Sequence, residues 1–294
     1  MKTTMTAVMP VQGVPDGAGS DDPTIRERWL EQRRGGITAT EIRDWGTASK
    51  RRDIIASKVS GVEADRDFRV KSTGFSITDY ATHGRVREPI IAEWITRKFG
   101  IQPCSHVYAH GAHPRHLASP DGVTLEPLTR ELVIGPEAAL AEIKTSTKDL
   151  MPGRIDEDRV LLEVNESSEF AKKNYYTQMQ WQMYVMNAAR TLFVWEQHDG
   201  VVNPDFGTFS PIHTPEYVWV PRNDVLITAL IAQAERALAE IDAARLAMTS
   251  GDVPIVAEGL DAERAQLVSD YLAAVDAEKV AAETKTKAWK ALQE

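Results

Sequence analysis

Ser119-Pro120-Asp121-Gly122 is followed, 21 positions after the aspartate, by Glu142-Ile143-Lys144. On a strand alternate side chains share a face, so Glu142 and Lys144 project together while Ile143 points into the core. Pro120 and Gly122 bracket Asp121 with turn-forming residues and hold its carboxylate at a bend. Two converging carboxylates with the Ile143 carbonyl make an all-oxygen set suited to a hard cation, Mg2+ or alternatively Mn2+. Such a centre serves phosphodiester hydrolysis, because a divalent cation neutralises developing charge, acidifies the attacking water and stabilises the leaving oxygen. Lys144 is placed to orient or deprotonate that water, its own pKa lowered by the neighbouring cation. Taken singly, each fragment has a plainer reading, an Asp-Gly turn and an exposed Glu/Lys ion pair. Leu140-Ala141 directly before Glu142 weighs against the second, since an ion pair drawn into an apolar edge costs desolvation.

Other polar clusters read less well. His106, His110, His113 and His116 are suggestively spaced, but with Cys104 the sole cysteine and Pro114 among them they are expected on strand or loop surfaces rather than on zinc. A single cysteine also excludes an internal disulfide and a four-cysteine iron-sulfur cluster. Lys50-Arg51-Arg52 reads as a solvated helix face able to touch a nucleic-acid backbone.

The elements that must position these residues follow from periodicity. A helix is expected from about 78 to 99, with Ile91, Ile95 and Phe99 on one stripe, then strands at 104–110, 116–123 and 139–145. A helix over 171–187 and strands at 191–197 and 216–220 complete an α/β order. Thr38 or Thr40 can cap a short helix through Ile42 and Trp45. Residues 1–22, rich in Gly, Ser, Pro and Asp, read as a disordered leader, 62–76 as a loop, and 223–294 as a helical extension with segments at 223–248 and from 261 onward. The body is then 23–222.

Hydrophobic and charged shares of 43% and 26% are those of a folded soluble domain. No apolar run approaches the ~18 residues of a membrane span, and the expectation is no membrane role and a reducing cytoplasm. The net charge of −9 argues against a nonspecific nucleic-acid coat, but residues 223–294 carry −6 of it. A DNA-handling body with an acidic tail is compatible with that split.

Four motifs occur in an order that resembles the lambda exonuclease (YqaJ viral recombinase) branch of the PD-(D/E)XK nucleases. They are Gly84-Arg85-Val86-Arg87-Glu88, Ser119-Pro120-Asp121-Gly122, Glu142-Ile143-Lys144 and Tyr175-Tyr176-Thr177-Gln178-Met179-Gln180. Upstream, Arg33-Arg34-Gly35-Gly36-Ile37-Thr38-Ala39-Thr40-Glu41 is similar to the family's phosphate-binding segment, so the likeness spans about 26–220. The resemblance implies a twisted mixed sheet flanked by helices, with the C-terminal helices packed outside. It implies Asp121, Glu142 and Lys144 as the catalytic centre, with Asp121, Glu142 and Ile143 on the metal, Glu88 facing the metals and Gln178 beside them. Periodicity independently sets Glu88 on the inward stripe of its helix and Gln178 on a face with Tyr175, Gln182 and Val185, although Gln178 also reads as an ordinary helix glutamine. Arg33 aligns with the family's 5′-phosphate arginine, and a one-residue shift would exchange it for Arg34. Thr40 and Ser119 align with hydroxyls near the same phosphate, Thr40 equally serving as a helix cap.

The activity implied is removal of one strand from a linear duplex end, 5′ to 3′, leaving 3′ tails for phage recombination. A single-strand annealing protein as partner and a homo-oligomer are implied with it. An endonuclease or single-strand nuclease using the same centre, and a catalytically silent DNA-end-binding module, are the rival readings. Acidic 151–170 and Thr145-Ser146 after the lysine depart from the family pattern and bear on substrate grip.

Overall fold

The computed structural model describes residues 11–15, 23–60, 77–203 and 208–250 of the 294-residue chain. In order these form β1 (Val11–Pro15), α1 (Pro23–Gly35), β2 (Ile37–Thr38), α2 (Ala39–Asp44), α3 (Ala48–Ser60), α4 (Ile77–Phe99), β3 (Gln102–Pro103), β4 (His106–His110), β5 (His113–Ala118) and β6 (Gly122–Val123). There follow β7 (Gly135–Ser146), β8 (Gly153–Ile155), β9 (Leu161–Val164), α5 (Glu169–Lys172), α6 (Tyr175–Met186), β10 (Ala188–Asn203), β11 (Thr208–Pro211), β12 (Glu216–Pro221) and α7 (Asp224–Ser250).

The main sheet runs β11-β10-β7-β6-β3, with β12 also pairing β10. Its centre is the parallel pair β7 and β10, in which Phe193 sits opposite Glu142 and Trp195 opposite Lys144. Parallel neighbours require a long crossover, here the β8–β9 hairpin, α5 and α6. The other pairings are antiparallel, so the sheet is mixed as expected. A second sheet, β1-β4-β5-β2, carries the N-terminal segment.

Strand alternation sorts β7 and β10 into two faces. Ala139, Ala141 and Ile143 join Leu192 and Val194 under Ile91, Ala92 and Ile95 of α4. Ala138 and Leu140 join Phe193 and Trp195 in the larger core with Met179, Met183 and Met186 of α6. Every residue of α6 from Gln178 to Met186 is buried, as for a helix covered on more than one side: it packs on β10 and also on β4 and β5. Between α1 and β2, a Cβ on Gly36 would lie 2.3 Å from the Arg115 carbonyl oxygen, so only glycine lets β2 pair with β5.

Several expectations are corrected. Val11–Pro15, inside the stretch read as an unstructured leader, is a strand antiparallel to β4. The 171–187 helix is two, separated at Asn174, whose left-handed φ of 54° ends α5 and opens α6. The 116–123 strand breaks at Ser119–Asp121, and the short strands β8 and β9 were not expected. Ile227, Leu230, Ala234, Ala237 and Ile241 of α7, at helical spacing, lie in the main core rather than outside it. The chain divides into compact units 1–245 and 246–294, and of the second only 246–250 are described. The loop at 62–76, the helix from 261 onward and the rest of the leader lie outside the described residues.

Candidate active site

Asp121 follows the break after β5, where the backbone leaves one sheet and joins the other. Its N–H donates to the Ala141 carbonyl at 3.1 Å, and its Oδ2 accepts from the Ile143 N–H at 2.6 Å. Glu142 projects from the α6 face of β7 and is 1% exposed. Burying a carboxylate so deeply requires donors, and three are present. Gln178 Nε2 donates to Oε1 at 2.5 Å, Gln182 Nε2 donates to Oε2 at 2.7 Å, and Lys144 Nζ donates to Oε1. The two glutamines are one helical turn apart on α6 and so meet one carboxylate together.

Lys144 Nζ also donates to the Ile143 carbonyl at 2.9 Å and lies 5.7 Å from the centre of the Tyr175 ring. Burial disfavours its charge, yet Glu142 and Asp121 outweigh burial and hold the ammonium above its usual pKa. Burial and then the charge of Glu142 push the Asp121 carboxyl well above the ordinary range; Lys144 opposes this, Glu88 adds to it, and the Ile143 N–H opposes it.

The donor set fits a hard divalent cation. Two carboxylates crowd each other while a third is felt nearby, and Lys144 supplies the opposing positive charge on Asp121. The buried Gln182 Oε1, on the wall of the same cavity, makes no hydrogen bond among the described residues. Oxygen atoms throughout, without thiolate or imidazole, suit magnesium or manganese.

A cavity of about 210 Å³ joins this centre to the N-terminal segment, lined among others by Trp29, Arg33, Thr40, Ser119, Asp121, Glu142, Lys144, Gln178 and Gln182. Arg33 lies with its guanidinium carbon 4.3 Å above the Trp29 ring. Arg33 and Arg34 both line a second, small cavity with Glu41 and Lys58, but of the two Arg33 alone also lines the first, so the arginines are not interchangeable. Thr38 is the cap of α2: its side chain accepts from the Glu41 N–H at 3.5 Å and its N–H donates to Glu41 Oε2 at 2.8 Å, a capping box. Thr40 is thus not a cap, and lines the cavity. Ser119 Oγ donates to the His106 carbonyl at 3.1 Å.

Glu88 departs from expectation. It is exposed and does not line the cavity, although Asp121 feels its charge. Burial on α4 follows the four-residue ridge His83, Arg87, Ile91, Ile95, inclined to the helix axis, and Glu88 falls beside that ridge. On the ridge, Arg87 makes a bidentate pair with buried Glu196, both bonds 2.7 Å, and ties α4 to β10. The histidine expectation is corrected as well: His110 and His116 are buried at 7% and 1% exposure, not on a surface.

Three participants were missed. Gln182 grips Glu142, and its four-residue spacing from Gln178 was the available signal. Arg43 donates to Gln178 Oε1 at 2.8 Å, orienting that amide so its nitrogen faces Glu142. Its place three residues after Thr40 on α2 hinted at a shared face. The buried indole N–H of Trp29, one turn before Arg33, makes no hydrogen bond among the described residues.

A family model described as the YqaJ-like viral recombinase domain matches residues 28–189. No curated protein sequence matches the chain. Among solved structures, an alkaline exonuclease from Laribacter hongkongensis is similar at 18% identity, covering 76% of this chain and 97% of that one with a TM-score of 0.48. A phage-related exonuclease from Haemophilus somnus 129PT is similar at 15% identity over 68% of this chain and 82% of that one, with a TM-score of 0.42. The family match takes in more than half of the chain and reaches from the helix bearing Arg33 to the helix bearing Gln178, and by it the chain belongs to the YqaJ-like viral recombinase family.

Proposed function

We propose that the chain is a magnesium-dependent exonuclease that removes one strand from a linear DNA duplex, 5′ to 3′, and leaves 3′ tails for recombination. The observation that carries this reading is one cavity lined both by Asp121, Glu142 and Lys144 and by Arg33, Thr40 and Ser119. Asp121, Glu142 and the Ile143 carbonyl would hold the cation, which when bound would neutralise phosphate charge and acidify the attacking water. Gln178 and Gln182 keep the Glu142 carboxylate oriented, and Arg43 keeps Gln178 oriented. Lys144 holds its proton at Nζ and positions water or a non-bridging oxygen beside the scissile bond. Arg33, fixed against Trp29, offers a planar fork to a terminal 5′ phosphate, with Thr40 and Ser119 hydroxyls beside it.

A pocket that grips a terminal phosphate next to the hydrolytic centre makes the end, rather than an internal bond, the point of attack. The deciding experiment is digestion of a linear duplex labelled separately at each 5′ end and each 3′ end, with magnesium and with chelator, beside a covalently closed circle. Early loss of the 5′ labels as mononucleotide, with magnesium only and with the circle intact, is the expected result. Cleavage of the circle would establish an endonuclease instead, and intact DNA in every arm a silent end-binding module. By family resemblance the reading extends to a homo-oligomer working with a single-strand annealing protein in a host cytoplasm. Mass measurement in solution and co-purification with that protein test those extensions. No helix among the described residues is long and apolar enough to cross a membrane.

A further inference from the structure

On the far side of α6 from Glu142, β5 meets α7. His116 is 1% exposed, and its Nε2 makes no hydrogen bond among the described residues although Glu235 Oε1 stands 3.2 Å away. The separation is short enough for a bond but the direction is wrong for one. His113 Nδ1 lies 3.7 Å from the same carboxylate oxygen, and its ring stacks on that of His116 at 5.0 Å with planes 13° apart. One ligand atom from each of the three residues lies within 4.8 Å of the others. They face a cavity of about 340 Å³ between the hairpin and the helix.

We propose that His113, His116 and Glu235 bind a transition-metal dication of the zinc class and clasp α7 to β5. Two imidazoles and a carboxylate are the ligand types that zinc takes in three-residue sites, with water completing the shell. Imidazole nitrogen also discriminates against magnesium, which separates this site from the all-oxygen centre at Asp121. The buried ligand is oriented in advance, since His116 Nδ1 is 3.1 Å from Tyr184 Oη, a partner that fixes the ring and leaves Nε2 as the atom facing Glu235. Tyr184 is itself held by stacking on His110 at 4.5 Å.

The two elements are pre-set for closure. Arg115 grips Asp242, two turns beyond Glu235 on α7, through bonds of 2.6 and 2.8 Å. That pair cancels the positive charge nearest to an incoming cation and fixes the helix against the hairpin. His113 and Glu235 are about half exposed, at 48% and 56% for their side chains, which leaves them room to close on an ion.

The test uses the full chain stripped with chelator, in an Asp121→Asn background so that zinc cannot enter the acidic centre, titrated with zinc by calorimetry and melted with and without it. One equivalent of zinc with a raised Tm is expected. His113→Ala and Glu235→Gln, both at exposed positions that the fold does not need, should each weaken binding by more than about 100-fold and abolish the rise. Cobalt should give the strong visible absorption of a four- or five-coordinate ion in the parent and lose it in both variants. In the unsubstituted background, His113→Ala should keep its magnesium-dependent cleavage of linear duplex. Zinc affinity within about twofold of the parent in both variants, or a weak six-coordinate cobalt spectrum throughout, would overturn the site.

Discussion

On the α4 face of β7, Ala139, Ala141 and Ile143 meet Ile91, Ile95, Leu192 and Val194. On the α6 face, Ala138 and Leu140 lead into Glu142, which meets two glutamines and a lysine. One strand therefore presents a dry contact and a charged one on opposite sides of the same backbone. The dry face supplies apolar burial, which grows with area and tolerates small shifts. The charged face costs desolvation and is tolerable only because each Glu142 oxygen has a donor. Ile143 joins the two: its side chain belongs to the dry face, while its N–H holds Asp121 and its carbonyl accepts from Lys144. The α4 face thus carries apolar burial alone, while the α6 face sets the charged centre beside the larger core, and single substitutions can separate burial from chemistry.

The largest separation is expected at the charged face. Asp121→Asn should lower cleavage by about 10³-fold or more, the loss typical of removing charge that a hydrolytic cation needs. The Tm should hold or rise, because a carboxyl whose pKa is pushed up by burial and by Glu142 opposes folding while it is ionised. Cleavage assays beside thermal melts check both halves. A large drop in Tm would show that Asp121 is structural and would break the division between the faces.

The converse is Ile95→Ala on α4, a side chain 2% exposed in the dry cluster. It should cost about 2–4 kcal/mol of unfolding free energy through lost burial and the cavity left behind. Denaturant titration measures this, and kcat of the remaining folded enzyme should be unchanged. A kcat that fell along with stability would mean that the faces are mechanically coupled through Ile143.

How far the sequence discloses this arrangement depends on the range of the interaction. Glu142 and Lys144 were legible because two-residue alternation is local, and Gln178 because the α6 motif is continuous. Arg43 on Gln178 bridges elements 135 positions apart, and His116 is paired with a glutamate more than a hundred positions away, so no periodicity registers either contact. Glu88 was misplaced for a subtler reason. A simple three-and-four stripe puts it inward, but the ridge that α4 actually buries is inclined, and tertiary packing chose which ridge. β1, β8 and β9 are five, three and four residues long, too short for alternation to register, so their strand character comes from the partners they pair with.

Within the charged face, Gln182→Ala should reduce cleavage by about 10- to 100-fold with little change in Tm, the scale seen when a residue supporting a metal ligand is removed. Magnesium titration should show a higher midpoint, since Glu142 would lose the donor that fixes Oε2. If cleavage were unchanged at every magnesium concentration, Lys144 and Gln178 would suffice to orient the carboxylate. The division between faces would then need no second glutamine.

The smallest effect separates neighbours rather than faces. Arg33 and Arg34 end the same helix and both line the small cavity with Glu41 and Lys58, yet of the two Arg33 alone also lines the cavity with Asp121 and Lys144. At the half-buried Arg33 a guanidinium bond to phosphate contributes toward the lower end of about 1.5–3 kcal/mol, so Arg33→Ala should raise KM for 5′-phosphorylated ends by roughly tenfold. It should also narrow the preference for phosphorylated over hydroxyl ends, because the lost contact exists only with the former. Arg34→Ala should leave both quantities where they were. If the Arg34 variant lost the preference and the Arg33 variant kept it, the terminal phosphate would have to bind outside the cavity that holds the carboxylates, and attack at the end would need a different explanation.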